Sequence, residues 1–221
     1  MVYQWSFGFL SRYIPLFISG VEVTLAYTVG TIALGMILGL AIGMARLSKS
    51  RLVNAPLVAL IEFFRCTPLL VLIIWFYYAL PVLLNVQISA TVAAVLVLSL
   101  YTGAFYAEIF RGGILSIEPG QWDAARALGL RPWHVMRLAI LPQAVRRMVP
   151  PLLNQSITQL KNTSLVSTIA VPDLLYQGTL ITADTYRPLE VYTVVAAIYF
   201  VLLFPTTRFV QHYEQRLAKR A

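Results

Sequence analysis

Charge is scarce in this 221-residue chain: Asp, Glu, Lys and Arg together make up 12% of it, and only nine residues are acidic. A soluble domain carries about 25% charged residues, whereas here 59% of the chain is hydrophobic. That balance excludes a disordered chain, a nucleic-acid module with a large basic face and most soluble enzymes. Cysteine is nearly absent. The single Cys66 rules out an internal disulfide, a CxxC redox pair and a cysteine-built zinc site. The two histidines, His134 and His212, stand far apart in sequence, so no metal-ligand cluster is present. There is no P-loop run either (glycine, four residues, then Gly-Lys-Ser or Thr), and hence no loop in this chain to cradle ATP phosphates. The net charge of +8 and the pI of 9.8 are compatible with a polyanion or a membrane. The basic residues are spread along the chain instead of forming a patch, so charge count alone does not choose.

What the chain does have is long uncharged runs. A bilayer's hydrocarbon core needs about 20 mostly apolar residues per helical crossing. Val23 to Ala45 and Cys66 to Ala107 carry no charge at all, and Pro81, Asn85 and Gln87 form a turn-like interruption within the longer run. The pattern predicts spans at 19–45, 57–80 and 89–110. A fourth is expected at 148–170, apolar overall but holding Asn154, Gln155, Ser156, Thr158, Gln159, Lys161 and Asn162, and a fifth at 189–207. The N-terminus shows no cleavable signal peptide, so the first span is expected to serve as the insertion signal. The expected fold is an all-α integral membrane protein with five transmembrane helices, comprising a short segment 1–18, a membrane-spanning core 19–210 and a basic tail 211–221.

Orientation follows from the basic residues. Arg46, Lys49 and Arg51 fall between the first two spans. Arg111, Arg126, Arg131, Arg137, Arg146 and Arg147 follow the third, and Arg208, Arg216, Lys219 and Arg220 follow the fifth. With five spans all of these share one side, leaving Arg12 and Arg187 on the other. The N-terminus is therefore expected outside and the C-terminus in the cytoplasm.

The segment 111–147 is the least membrane-like. Pro119 and Gly120 break the chain, and 121–128 is rich in helix formers. Gly129 suits a C′ position, Pro132 opens a second helix over 132–141, and Pro142 ends it. A helix, a glycine hinge and a second helix result. Residues alone leave two uses open: an amphipathic hairpin lying in the interface, with Trp122 and Trp133 among head groups, or a docking site for a cytoplasmic partner.

The run Asp123-Ala124-Ala125, three residues, Gly129, with Leu141-Pro142 at the family spacing, resembles the EAA motif of ABC-transporter permeases. Asp123 replaces Glu, which keeps a carboxylate at a helix N-terminus, and Ala139 replaces an Ile, which removes apolar bulk from the second helix. Further segments are similar to the polar amino acid branch of that family, in the family's order: Glu62-Phe63-Phe64-Arg65-Cys66-Thr67-Pro68-Leu69-Leu70, Tyr106 to Ile114 continuing to Gln121, and Leu160-Lys161-Asn162-Thr163-Ser164-Leu165, where Asn162 stands for a frequent Asp. The resemblance implies a type I importer permease of the bacterial cytoplasmic (inner) membrane, with Gln121, Asp123, Ala124, Ala125, Gly129, Leu141 and Pro142 coupling it to an ATPase. It further implies a homodimer or a heterodimer with a paralogue, two ATP-binding cassette subunits that hold ATP and Mg, an extracytoplasmic substrate-binding protein, contact with membrane lipid, and no cofactor, metal or nucleic acid on this chain.

Ionisable groups within a span cost roughly 2.5–3.5 kcal/mol on insertion scales and call for a reason. Lys161 lies about 20 Å along the fourth span at about 1.5 Å per residue, among polar neighbours. Candidate substrate-contacting residues are Lys161, Asn162, Thr158, Ser164 and Gln155, with Thr67 before Pro68 in the second span. Structural pairing of Lys161 with a carboxylate or with backbone carbonyls is the alternative. Glu62 with Arg65 and Glu108 with Arg111 are spaced to pair on their helices, and Gly35, Gly39 and Gly43 allow close helix packing. A lysine and an asparagine at the site favour Glu, Gln, Asp or a neutral polar amino acid. Methionine or a quaternary amine is the alternative substrate. A secondary transporter lacks support from an inverted repeat, and an intramembrane enzyme lacks a clustered catalytic set.

Overall fold

The computed structural model describes residues 3–218, so Lys219 and Arg220 of the basic tail lie outside the described residues. Secondary structure within them is all helical. A 3₁₀ turn, Gly8–Tyr13, leads into α1, Ile14–Ala45. Helix α2 is Arg51–Cys66, α3 is Leu69–Leu84, α4 is Ala90–Leu115 and α5 is Pro119–Ala127. Helix α6 runs without a break over 132–162 and tightens into a 3₁₀ segment, Thr163–Ile169. Helix α7, Leu174–Thr185, and α8, Pro188–Ala218, complete the chain.

Helix α1 is built inside out relative to a soluble helix. Its buried stripe is Phe17, Gly20, Thr24, Thr28, Thr31, Gly35, Gly39 and Gly43, while Leu25, Val29, Leu34, Ile37 and Leu40 are exposed. Small residues let backbones approach, and a lipid surround needs no apolar core to drive association. The expected packing role of the three glycines holds: Gly35, Gly39 and Gly43 lie against Thr102, Gly103, Tyr106, Ala107 and Phe110 of α4. Farther along α1, Gly20 meets Leu174 and Gln177 of α7.

Three helices are long and apolar enough to cross a bilayer alone: α1 with its 3₁₀ lead-in, α4 and α8. The second expected span, 57–80, is not one straight helix. Helices α2 and α3 meet at 106° across Thr67-Pro68. Pro68 offers no N–H, and the residue before a proline is pushed out of the α region; Thr67 accordingly sits at φ −97°, ψ 132°. Of the interruption expected over Pro81, Asn85 and Gln87, Pro81 stays within α3, and the break comes at Asn85, whose left-handed φ of 52° ends the helix. Residues 148–170, expected as the fourth span, form the second half of α6 plus the 3₁₀ segment, and α6 is not among the helices long and apolar enough to cross alone.

Pro142 does not end a helix at 141. Residues Val135–Ile140 form a π-helical segment and α6 continues through Leu141-Pro142. Helix α3 repeats the device, with a π segment at Trp75–Ala79 immediately before Leu80-Pro81. A proline ring clashes with the carbonyl four residues back in an α-helix. Widening the preceding turn to i→i−5 bonding, as in Leu141 N–H to the Met136 carbonyl, removes both the clash and the demand for the missing donor.

The two ends of the bundle differ. At the N-terminal end the Tyr3 hydroxyl and the Ser6 amide donate to Glu190, Arg187 pairs with Glu190 at 3.0 Å, and the Tyr13 hydroxyl donates to Asp184. The bond to Glu190 raises the pKa of the Tyr3 phenol above its ordinary value. At the hairpin end, Arg46 and Arg111 both pair with Glu108, and Arg147 donates to the Ser116 carbonyl.

The 3₁₀ segment closes on Ala170 at φ +61°. A left-handed alanine costs about 1–2 kcal/mol, part of which glycine returns as unfolded-state entropy. Ala170→Gly is therefore expected to stabilise by about 0.5–1 kcal/mol, read as a higher thermal midpoint in detergent. A lower midpoint would contradict the strain.

Candidate functional site

The hairpin forms much as its turn chemistry requires. Pro119 opens α5, and Gly129 at φ +74° reverses the chain after it, its N–H donating to the Arg126 carbonyl at 2.9 Å. Ala125 is buried and Trp122 half-buried, packed with Val135, Ile140, Ala144 and Met148 of α6 and with Phe110 and Ile114 of α4. Ala139 is half-buried in the same cluster. Gln121 accepts from Gln143 at 3.2 Å, and Gln143 also donates to the Ala139 carbonyl. Asp123 departs from expectation: α5 starts at Pro119, so Asp123 lies beyond the first turn and faces Arg126 at 3.6 Å, both exposed. Such an exposed pair contributes little, which leaves the carboxylate on the surface. Ala124, Leu128, Trp133, Leu138, Leu141 and Pro142 are exposed as well. The hairpin thus presents exposed apolar residues, edged with charge, that no described residue of this chain covers.

The other candidate site lies farther along α6. Positions 147, 151, 154, 158 and 161 follow a three-to-four residue spacing and are exposed. Apart from Pro151 this stripe is polar: Asn154 donates to Glu214 of α8 at 2.8 Å, the Thr158 hydroxyl bonds back to the Asn154 carbonyl, and Lys161 makes no ion pair among the described residues. Ser164 donates to the Lys161 carbonyl at 2.8 Å. A second stripe, Gln155, Gln159 and Asn162, turns inward. The amide nitrogens of Gln155 and Asn162 are shielded from solvent and lack a hydrogen-bond partner, whereas the amide oxygen and nitrogen of Gln159 each have one. Unfilled donors are rare in buried positions, and two of them flank one partnered glutamine. Five of the six candidate residues are therefore carried by α6 and its 3₁₀ extension. Thr67 stands apart at the α2–α3 break, half-buried, with no side-chain hydrogen bond recorded to any of the other five.

The expected pairs form: Arg65 meets Glu62 at 3.0 Å, and Arg111 meets Glu108 at 2.8 Å. Sequence spacing missed that Arg46, which caps the C-terminus of α1, joins Glu108 of α4, because that contact is made between elements distant in sequence. A cavity of about 450 Å³ opens beside these groups at the hairpin end, lined by Arg65, Phe105, Glu108, Gly112, Arg147 and Pro151. Among the described residues no cluster of His, Cys, Asp and Glu is suited to a metal.

Residues 31–219 match the family described as binding-protein-dependent transport system inner membrane component. The chain is 40% identical over 205 residues to the glutamine transport system permease protein GlnP of Escherichia coli (strain K12), covering 92% of this chain and 94% of that one. It is 31% identical over 224 residues to the glutamate/aspartate import permease protein GltK of Escherichia coli O6:H1, covering 98% and 100%. Its fold superposes with a TM-score of 0.91 on the crystal structure of an amino acid ABC transporter with histidines, at 36% identity over 97% of this chain and all of the other. The MetNI methionine ABC transporter in its inward-facing form shares the fold, with a TM-score of 0.68 at 22% identity. A helical chain with several apolar helices suited to a membrane, an EAA-type hairpin and these relatives leads to one assignment: the chain belongs to the binding-protein-dependent transport system inner membrane components, as a multi-pass ABC-transporter permease subunit of the inner membrane.

Proposed function

We propose that this chain is the membrane-spanning subunit of an ATP-driven importer for a polar amino acid of the glutamate, glutamine or aspartate type. The observation that carries the proposal is the exposed polar stripe of α6 with Lys161 and Thr158, backed on the helix's inward side by the unpartnered amides of Gln155 and Asn162. A polar face of this kind is not stable against lipid; it requires water, a ligand or another protein surface. An ammonium group and two amide donors suit an amino acid's carboxylates and side-chain carbonyl. The names of the glutamine and glutamate/aspartate relatives point the same way.

The remaining architecture is supported by the helices and by where the arginines fall. The chain would cross the membrane five times, through α1, the α2–α3 pair, α4, the second half of α6 with its 3₁₀ segment, and α8. Arg46, Arg111 and Arg147 gather at the hairpin end, and Arg12 and Arg187 lie at the other. This supports a cytoplasmic hairpin and an external N-terminus. A second permease, identical or paralogous, would cover the polar face of α6 around a water-filled path. The exposed apolar residues of the hairpin would seat an ATP-binding subunit, which supplies ATP and Mg, and a binding protein would deliver substrate at the opposite end.

Lys161→Ala is expected to raise the KM for glutamine or glutamate uptake by about tenfold or more, the scale of a lost charge-assisted hydrogen bond. Lys161→Arg should retain part of the affinity, and both variants should assemble with the ATPase. An unchanged KM in Lys161→Ala would overturn the role.

A further inference from the structure

Gln159 is the one amide on the inner stripe of α6 whose oxygen and nitrogen both find partners, and those partners lie on two other helices. The Thr102 hydroxyl of α4 donates to its Oε1 at 2.5 Å, and its Nε2 donates to Thr31 Oγ1 of α1 at 2.9 Å. The Thr31 hydroxyl passes its own proton to the Tyr27 carbonyl at 2.7 Å. Gln159, Thr31 and Thr102 are each 0% exposed. The three hydrogen bonds run head to tail, an arrangement in which each polarises the next. One turn earlier, the Tyr106 hydroxyl and Ser156 lie 2.7 Å apart and tie α4 to α6 a second time.

We infer that Gln159 is a positioning residue that fixes the rotation of α6 and so sets where Gln155 and Asn162 present their amides to substrate. Gln155 lies four residues before Gln159 and Asn162 three after, so all three share one side of the helix. Side-chain tips stand about 5–6 Å from a helix axis. A rotation of about 20° therefore carries them by about 2 Å, enough to spoil a hydrogen-bonded ligand. Packing alone does not hold that angle, because an apolar residue of similar volume slides where a two-ended amide cannot. The site of the clamp fits this use. Asn162 is the last residue of α6 before the tighter 3₁₀ segment, so the backbone beyond Gln159 gives the amide of Asn162 less support than a continuing α-helix would.

The inference rests on Gln155 and Asn162 contacting substrate, and the test separates the two claims. The permease is reconstituted with its ATPase and binding protein, and uptake of labelled glutamine and glutamate is measured across concentration. Gln159→Leu and Thr102→Val should each raise KM by about tenfold while the maximal rate per assembled complex stays within about twofold, the pattern of lost binding geometry without lost turnover. The double variant should be no worse than the poorer single one, because both break the same link. Thr102→Ser, which keeps the hydroxyl, should restore the wild-type KM. Neither apolar variant strands a polar group at α1, since Thr31 keeps its bond to the Tyr27 carbonyl. An unchanged KM, additive effects in the double variant, or a Thr102→Ser variant as impaired as Thr102→Val each overturns the clamp. Gln155→Ala and Asn162→Ala are assayed in parallel. If they leave KM unchanged while Gln159→Leu raises it, those two substrate contacts fall and the positioning role built on them falls too, leaving Gln159 a structural tie between helices. The reverse result keeps the contacts and removes the clamp.

Discussion

Gly129→Pro is expected to abolish assembly with the ATP-binding subunit, and with it substrate-stimulated ATP hydrolysis, while leaving the helical bundle folded. Three things fail at once. Proline holds φ near about −65°, whereas the hairpin turns at φ +74°. Its missing N–H removes the bond to the Arg126 carbonyl. It also drives the preceding residue toward extended backbone, away from the turn conformation of Leu128 at φ −76°, ψ 5°. With the reversal gone, Trp122 and Ala125 cannot fold back onto Val135 and Ile140, and the face that carries Ala124 and Leu141 is scattered. Nothing lies within 4 Å of a Cβ placed at Gly129, so the defect belongs to the backbone alone. Gly129→Ala should accordingly be intermediate, bearing about 1–2 kcal/mol of left-handed strain and no clash. Gly120→Ala, with an ordinary φ and open space around it, should behave as wild type. Co-purification with the ATPase and its stimulation by loaded binding protein are the measurements. A Gly129→Pro complex that keeps both would remove the hairpin from the coupling path.

The first helix of that hairpin and its glycine reversal were readable in the sequence because their geometry is local, although Pro119 and Gly120, expected to break the chain before 121, open the helix instead. The glycine stripe of α1 was readable for the same reason, since one periodic face of one helix reports its own packing. The course of α6 was not. Pro142 looks like a stop, and whether a proline stops a helix or only widens it into a π turn depends on what the helix gains by continuing. Here it gains the packing of Ile140, Ala144 and Met148 against α4 and α5, and a proline alone does not carry that information. The same holds for Pro81, passed in the same way before Asn85 ends α3. Within the site, the run of polar residues near Lys161 marked the helix but not its two faces. Separating the partnered Gln159 from the unfilled Gln155 and Asn162 requires Thr31 and Thr102, which lie more than fifty residues away in sequence. The composition of 174–185 likewise hides α7, because Gly178 lies within it and its docking partners, Gly20 on α1 and Val195 on α8, are distant.

Gly39→Ile should give the largest loss of folded protein of any single glycine replacement in α1. A Cβ at position 39 would stand 2.5 Å from Tyr106 Cβ, 2.9 Å from the Gly103 carbonyl oxygen and 3.0 Å from the Ala107 nitrogen. Two of these are backbone atoms of α4 and none is the loose end of a side chain, so only a separation of the two helices relieves the overlap. Overpacking a well-filled site costs about 1–3 kcal/mol and occasionally more. Here a branched side chain must also pull Thr31 and Gln159 away from Thr102, breaking the buried bridge that joins α1, α4 and α6. A loss of about 3 kcal/mol or more consumes much of the margin of an ordinary domain. Position dictates a graded series. Gly30→Ala meets nothing within 4 Å and should be neutral or stabilising by up to about 1 kcal/mol through helix propensity. Gly113→Ala strikes only the side chain of Met148, at 2.2 Å from its Cγ, and an unbranched thioether repacks readily, so it should fall between. The monodisperse fraction in detergent and the thermal midpoint rank the three. The order Gly30, Gly113, Gly39 identifies backbone approach between α1 and α4 as what holds the bundle together, and a Gly39→Ile protein that melts with wild type would show that lipid and partner contacts hold it instead.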